Sequence, residues 1–163
     1  MARRFWPIFN TILFTIFVPG TVAILIPRWL TSRNRWPENG PLTWIGGVMF
    51  VSGAAIYFRC AWEFAVRGLG PPAPIAPTKF LVTTALHRYV RNPMYLGVLA
   101  VIMAWATAFR SWAVTEYALA VAVGFHLMVL LVEEPVLRRQ FGEAYTEYCR
   151  RVARWMPRRP HRD

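Results

Sequence analysis

The chain has few of the residues on which several common kinds of site depend. Its two cysteines, Cys60 and Cys149, lie far apart and outside any Cys-x-x-Cys pair, so they indicate neither a disulfide framework nor a zinc or other metal site. Acidic residues number only 8 against 19 Lys and Arg, and Lys79 is the single lysine among them. Arginine at this density is typical of a GC-rich bacterial genome. No Gly-rich turn follows a predicted strand, so a Rossmann-type nucleotide site is not indicated either.

Long apolar blocks separate the charges. Hydrophobic residues make up 56% of the chain, about as much as in a soluble domain, so it is their arrangement that indicates a membrane protein. The net charge of +11 suits an anionic membrane face, and the apolar blocks favour that partner over nucleic acid. Pro19-Gly20 interrupts the first block, which predicts a kink there. Four blocks stand out: Phe5 to about Leu30, Leu42 to Val66, Met94 to Phe109 and Trp112 to Val132.

The third block is the shortest. Its 16 residues reach roughly 24 Å as a helix, less than a hydrocarbon core of roughly 30 Å. Local thinning of the bilayer, with Arg110 reaching outward, accommodates a full span, and a re-entrant segment is the alternative.

Positive charges support four spans. An even number of spans places 14 of the 19 Lys and Arg on the side shared by both termini, and the positive-inside rule makes that side cytoplasmic. We therefore predict an all-α, polytopic membrane protein of about four transmembrane helices, forming a single domain over residues 1–163. Its expected location is the bacterial inner membrane, with both termini cytoplasmic.

The segment behind the fourth block is polar. Phe141-Gly142 predicts a break in the helix, and Glu143 to Arg151 a short helix with Tyr145 and Tyr148 on one face. Trp155 and Met156 stand among arginines, a pattern typical of the lipid surface. We therefore predict a C-terminal interfacial helix.

Ionisable residues inside apolar blocks require a partner, because a charge in lipid is costly. Arg59 and Glu63 are four positions apart, which predicts an ion pair at the end of a helix. His126 falls seven residues before Glu133, so both side chains project from nearly one helix face. A single hydrogen bond would account for a buried histidine at this position.

Glu133 and Glu134 are two adjacent carboxylates at a cytoplasmic helix end, where the helix dipole favours cations instead. We expect a positive group beside them, either a cationic ligand or an arginine. An ordinary solvated helix end is the alternative. The arginines that could serve are Arg88, Arg91, Arg138, Arg139 and Arg151.

The stretch from Leu81 to Gly97 gathers one histidine, two arginines and two tyrosines before the third block. Pro93 is predicted in the first turn of that helix, where its missing N–H costs nothing. The free N–H groups of this turn, together with Arg91, predict an anion site of the kind that holds a carboxylate. Gly97 allows another helix or a ligand to approach the backbone closely.

These motifs occur in one order along the chain: Arg91-Asn92-Pro93-Met94-Tyr95-Leu96-Gly97, Glu133-Glu134, Phe141-Gly142, Tyr145, Tyr148 and Arg154-Trp155-Met156-Pro157. In combination they resemble the isoprenylcysteine carboxyl methyltransferase and phospholipid methyltransferase family of integral membrane enzymes. The resemblance covers roughly Gly68 to Pro157, and the first two blocks match only in being apolar. Ala85-Leu86-His87 stands where relatives commonly have Gly-x-Tyr.

The resemblance implies an enzyme that uses S-adenosyl-L-methionine to methylate a lipophilic small molecule or lipid delivered by the membrane. Arg154 and His87 are the candidate catalytic residues, which would orient or deprotonate the acceptor. The resemblance also implies a cytoplasm-facing cofactor pocket lined by Arg91, Asn92, Pro93, Tyr95, Gly97, Glu133 and Glu134.

The sequence leaves the acceptor open. Carboxyl methylation of a prenylated cysteine, N-methylation of a phospholipid amine, and methylation of quinone-like lipids or small hydrophobic thiols all agree with the motifs. Two alternatives come from other classes: a membrane scaffold that keeps the motif without catalysis, and a small transporter. The lack of repeat symmetry argues against the transporter.

Overall fold

The computed structural model describes residues 17–32, 37, 39–64 and 81–157. The described residues form four helices: α1 (Phe17–Leu30), α2 (Pro41–Glu63), α3 (Pro93–Phe109) and α4 (Trp112–Arg151). A short 3₁₀ helix, Ala85–Arg88, precedes α3. No β-strand occurs within these ranges, and the prediction of an all-α fold is confirmed. The parts of the predicted blocks that fall in residues 1–16 and 65–80 lie outside the described residues.

Two of the helices are long and apolar enough to cross a membrane. They are α2, with 23 residues, and α4, with 40 residues. Only 17% of the most apolar stretch of each is buried within the protein. Their apolar side chains therefore face outward, as expected for contact with lipid and not for the core of a soluble protein. The other two helices, α1 and α3, are apolar but shorter.

Proline and an αL residue set the limits of α3. Pro93 occupies the first helical position, as predicted, and Arg110 ends the helix in the left-handed conformation with φ 49°. Ser111 then leads directly into α4, so the connection between α3 and α4 is very short. Such a connection makes the two helices antiparallel neighbours. The side chains of Ile102 and Val114 are fully buried in the core that α3 shares with the first part of α4.

The backbones of α2 and α3 are nearly in contact. A Cβ atom built on Gly53 would lie 2.7 Å from the carbonyl oxygen of Gly97, and one built on Gly97 would lie 3.0 Å from the backbone nitrogen of Tyr57. The prediction that Gly97 admits close approach of another helix is therefore confirmed. This contact fixes the first turns of α3, which carry Pro93 and Tyr95, against α2.

The two predicted irregularities have different outcomes. Gly20 keeps helical geometry, with φ −60° and ψ −44°, and the kink expected at Pro19-Gly20 stays a prediction, while a π-helical turn, Thr21–Leu25, follows directly. In α4 the backbone leaves helical geometry at Gly142, with φ 54°, which confirms the predicted break. A second π-helical turn, Val129–Glu133, was not predicted from the sequence.

Candidate active site

Glu134 lies at the centre of the polar residues beside the start of α3. Nη1 of Arg91 is 3.0 Å from Oε1 of this carboxylate, while Arg154 contacts it twice, with Nε 2.6 Å from Oε1 and Nη2 3.1 Å from Oε2. Glu134 is buried. A buried carboxylate is costly unless cations compensate it, and here two arginines do so. The expected positive group beside the acidic pair is therefore present.

The identity of these cations differs in part from the expectation. Arg91 was among the candidate arginines, but Arg154, which makes the shorter contact, was not. Arg88 donates to the hydroxyl of Tyr89, and Arg151 pairs with Glu147. Sequence spacing contained no signal for Arg154, because the chain has to fold back after α4 to bring this residue to Glu134.

Residues 152–155, here called the C-terminal clamp, fold back onto the residues that precede α3. The backbone N–H of Arg91 donates to the carbonyl of Ala153 at 2.9 Å. The side chain of Asn92 donates from Nδ2 to the carbonyl of Arg154 at 3.2 Å. Asn92 thus holds the backbone of Arg154, the residue predicted to be catalytic, so the two form one structural unit.

Glu133 is the neighbour of Glu134 but has different partners. Its half-buried carboxylate accepts a hydrogen bond from the hydroxyl of Tyr95. In the described part of the chain Glu133 forms no salt bridge. The two arginines nearby, Arg91 and Arg154, pair with Glu134 instead. A carboxylate at a helix turn without a cationic partner favours a positively charged ligand.

Aromatic rings surround Tyr95. Its ring centroid lies 4.4 Å from that of Phe125 and 6.4 Å from that of Trp155. Trp155 in turn donates its indole N–H to Nδ1 of His126 at 3.0 Å. His126 therefore has the single hydrogen bond that was expected for it. His126 accepts from Trp155 and Glu133 accepts from Tyr95, and these two aromatic rings are neighbours.

The position of Trp155 at the lipid surface stays a prediction. Its side chain is half-buried, and its indole N–H donates to His126. Met156 is 74% exposed, as expected. Tyr145 and Tyr148 share one face and are buried, so the last part of α4 packs onto the protein through these rings.

His87 occupies a buried position in the 3₁₀ helix. Its ring packs edge-on against Phe64 at 5.4 Å, and its carbonyl accepts a hydrogen bond from the hydroxyl of Tyr148 at 2.7 Å. Nδ1 has no hydrogen-bond partner among the described residues. Burial lowers the pKa of His87 to about 4, and the nearby carboxylate of Glu63 only partly opposes this. The ring is therefore neutral at pH 7. It forms no hydrogen bond with Arg154 in the described part of the chain.

The backbone at Ala85 adopts a conformation that alanine rarely takes. Ala85 has φ 51°, in the left-handed region that favours glycine. By the resemblance described above, the family motif has glycine at this position. The turn is therefore kept although the residue that best suits it is absent.

The ion pair predicted at the end of α2 is confirmed. Nη1 of Arg59 lies 2.6 Å from Oε1 of Glu63, and the hydroxyl of Thr84 donates to Oε2 of the same carboxylate at 3.1 Å. Glu63 is buried. This carboxylate thus joins the end of α2 to the turn that carries Ala85 and His87.

A family model described as phospholipid methyltransferase matches residues 41–144. The match covers α2, α3, the 3₁₀ helix and the first part of α4, so Arg91, Tyr95, Glu133 and Glu134 all fall inside it, while the C-terminal clamp lies beyond it. No curated protein and no solved structure matches the chain. Since the matched range is well over half of the chain, and since the motif residues inside it converge in space, the protein belongs to the phospholipid methyltransferase family, whose members are methyltransferases acting on lipid-like substrates.

Proposed function

We propose that the protein transfers a methyl group from S-adenosyl-L-methionine to a lipophilic acceptor that reaches the site from the membrane. The observation that supports this best is the meeting of Arg91, Glu134 and Arg154 beside Glu133, within a chain of a methyltransferase family. These residues come from three distant parts of the sequence, and their convergence is what a binding site requires.

The residues present fit the cofactor. Its amino acid end carries one ammonium and one carboxylate group. Glu133, a carboxylate without a salt bridge among the described residues, would hold the ammonium. Arg91 would hold the carboxylate: its Nε is buried and has no hydrogen-bond partner in the described ranges, and the free N–H groups at the start of α3 lie close in sequence.

When bound, S-adenosyl-L-methionine supplies a methyl group activated by a sulfonium centre. Direct displacement at such a centre depends mainly on alignment of acceptor and methyl group. The chain would supply that alignment. Glu134 and Asn92 hold Arg154, which would orient the acceptor, and the neutral ring of His87, with Nδ1 unpartnered among the described residues, could take up a proton from it.

For the membrane arrangement we propose four spans with both termini in the cytoplasm of a bacterial cell. The two long apolar helices and the excess of arginine on one side support this arrangement. The shorter helix α3 would cross a locally thinned bilayer, with a re-entrant path as the alternative. In either case the cluster of Arg91, Glu134 and Arg154 would lie at the cytoplasmic boundary, where a water-soluble cofactor and a lipid can meet.

Phospholipid N-methylation is the acceptor reaction that the family match favours, and carboxyl methylation of a prenylated cysteine is the second candidate. Comparing the lipid extract of a deletion strain with that of its parent tests the first. A phospholipid heavier by one methylene unit should be lost in the deletion strain and restored by the wild-type gene. An unchanged lipid extract would remove lipid methylation from consideration.

Cofactor binding is the decisive experiment. Purified protein in lipid nanodiscs should bind labelled S-adenosyl-L-methionine, and Glu133→Gln should weaken binding by roughly tenfold or more, because it removes the charge that faces the ammonium. Glu143→Gln is the matched control, since Glu143 is an exposed carboxylate on the same helix. Absence of binding by the wild-type protein would favour a non-catalytic scaffold, and unchanged affinity in Glu133→Gln would remove that residue from the site.

A further inference from the structure

Four aromatic side chains form a row of neighbouring rings that reaches Glu133 through the hydroxyl of Tyr95. They are Phe125, Tyr95, Trp155 and His126, here called the aromatic row. Neighbouring ring centroids are 4.4 Å, 6.4 Å and 6.1 Å apart in that order. The row combines residues of α3, of α4 and of the C-terminal clamp, so the fold brings it together from three places.

The position of Trp155 in the row is fixed by hydrogen bonding. Its Nε1 donates to Nδ1 of His126 at 3.0 Å, while the preceding residue, Arg154, is fixed by Glu134 and Asn92. A large side chain loses rotamer freedom when it is ordered, so its position requires compensating contacts. The indole is held here by its own hydrogen bond and by the anchored backbone before it.

A carboxylate lies at one ring of the row. Glu133 accepts a hydrogen bond from the hydroxyl of Tyr95, whose ring neighbours both Phe125 and Trp155, and it has no salt bridge in the described ranges. Aromatic faces attract cations, and tryptophan does so most strongly. A carboxylate next to such faces therefore suits a large, weakly hydrated organic cation better than it suits a small metal ion, which prefers several oxygen ligands.

We propose that Glu133 and the aromatic row bind an organic cation, with Trp155 as the principal ring and His126 as the residue that positions it. Two groups have this chemistry: the sulfonium of the methyl donor and the ammonium of a lipid acceptor. The inference rests on the proposed function for the source of the cation, but the cation site itself is a separate claim that can fail alone.

The first arm of the test compares two ligands that differ in charge at sulfur. S-adenosylmethionine carries the sulfonium, whereas S-adenosylhomocysteine is the neutral thioether. If the row holds the sulfonium, Trp155→Leu should weaken the binding of S-adenosylmethionine by roughly tenfold. It should leave the affinity for S-adenosylhomocysteine nearly unchanged. The unchanged affinity for the neutral ligand also shows that the variant is folded. Trp112→Leu is the control, since Trp112 is exposed at the far end of α4.

The second arm addresses the acceptor. If the row holds a lipid ammonium, Trp155→Leu should leave both adenosyl ligands unchanged. It should weaken binding of a short-chain choline phospholipid, but not of its dimethylbutyl analogue, in which carbon replaces the charged nitrogen. Equal effects on charged and neutral ligands in both arms, or no effect in either, would overturn the cation site. If the wild-type protein binds neither adenosyl ligand, the cofactor proposal fails, and the choline arm then decides the cation site by itself.

His126 is tested by a conservative replacement. His126→Asn keeps a hydrogen-bond acceptor near the place of Nδ1 and should retain the preference for the cationic ligand, whereas His126→Leu should lose it to the same extent as Trp155→Leu. If His126 acts only through Trp155, the double variant His126→Leu/Trp155→Leu should be no weaker than either single variant. A loss of preference in His126→Leu that adds to that of Trp155→Leu would contradict a positioning role.

Discussion

Arg91 and Glu134 are 43 positions apart in the chain, yet Nη1 of the first lies 3.0 Å from Oε1 of the second. The contact joins the residue that precedes α3 to the middle of α4. Because Arg154 reaches the same carboxylate from the C-terminal clamp, one buried group connects three separate segments. The turn that carries Arg91 and the Glu133-Glu134 pair are therefore parts of one cluster.

Removing the charge of Glu134 should destabilise the protein. In Glu134→Gln the two arginines lose their common partner, and breaking a buried pair in this way costs roughly 3 kcal/mol. Glu147→Gln is the matched control, because Glu147 pairs with Arg150 and Arg151 at the exposed surface and should change stability little. Denaturant unfolding of the purified protein in detergent measures both. Equal losses of unfolding free energy in the two variants would mean that burial of the Glu134 cluster does not contribute to stability.

Acidification should destabilise the protein through His87. The pKa of His87 is about 4 in the folded protein, because burial disfavours the charged ring, against about 6.5 in an unfolded chain. The unfolded state therefore binds the proton first. The contribution of the neutral ring to stability is complete above about pH 6.5 and is lost as the pH falls towards 4, by roughly 3 kcal/mol in total.

The variant His87→Gln separates this effect from other titrating groups. Glutamine does not titrate, so the difference in unfolding free energy between wild type and variant should shrink between about pH 6.5 and about pH 4. It should stay constant above that range. A difference that does not vary with pH would mean that the ring is accessible to protons in the folded protein.

Replacing Ala85 with glycine should stabilise the protein. Ala85 has φ 51°, a conformation that costs an L-residue about 1 kcal/mol and glycine almost nothing. After allowance of about 0.4–1 kcal/mol for the greater freedom of glycine in the unfolded chain, Ala85→Gly should gain up to about 0.5 kcal/mol. The control Ala120→Gly, at an exposed position within α4, should have the opposite sign. Melting temperatures of the two variants test the prediction, and a loss in both would contradict it.

Local sequence features predicted the local features of the fold. Pro93 marks the start of α3, Gly142 marks the break in α4, and the spacing of Arg59 and Glu63 predicted their ion pair. Each depends on backbone preference or on helix spacing, which a few neighbouring residues determine.

Features that depend on the path of the chain were not predictable. Trp155 reaches His126, and Arg154 reaches Glu134, because residues 152–155 fold back; no periodicity encodes such a return. The π-helical turn Val129–Glu133 consists of residues equally typical of an α-helix, and its wider hydrogen bonding depends on packing around it. The arrangement of the candidate site therefore required the structure, although most of its residues were identified from the sequence.

The close contact between α2 and α3 at Gly53 and Gly97, here called the seam, should not tolerate a larger residue at either position. In Gly53→Ala the new methyl group would meet the Gly97 carbonyl at 2.7 Å, so the helices must separate, at a cost of roughly 2 kcal/mol. Gly47→Ala is the matched control on the same helix, where nothing lies within 4 Å of the new atom. That variant should be neutral or slightly stabilising. Unfolding in detergent measures both, and similar stability of the two variants would show that the seam can widen.

A seam without room for one methyl group is also closed to an acyl chain, whose cross-section is larger. On the proposed function, a lipid acceptor would therefore not reach Glu133 between α2 and α3 at the level of Gly53 and Gly97. The outward face of α4, with Leu119, Val123, Leu127 and Leu131 exposed along it, is the apolar surface that leads to the Glu133 end of that helix.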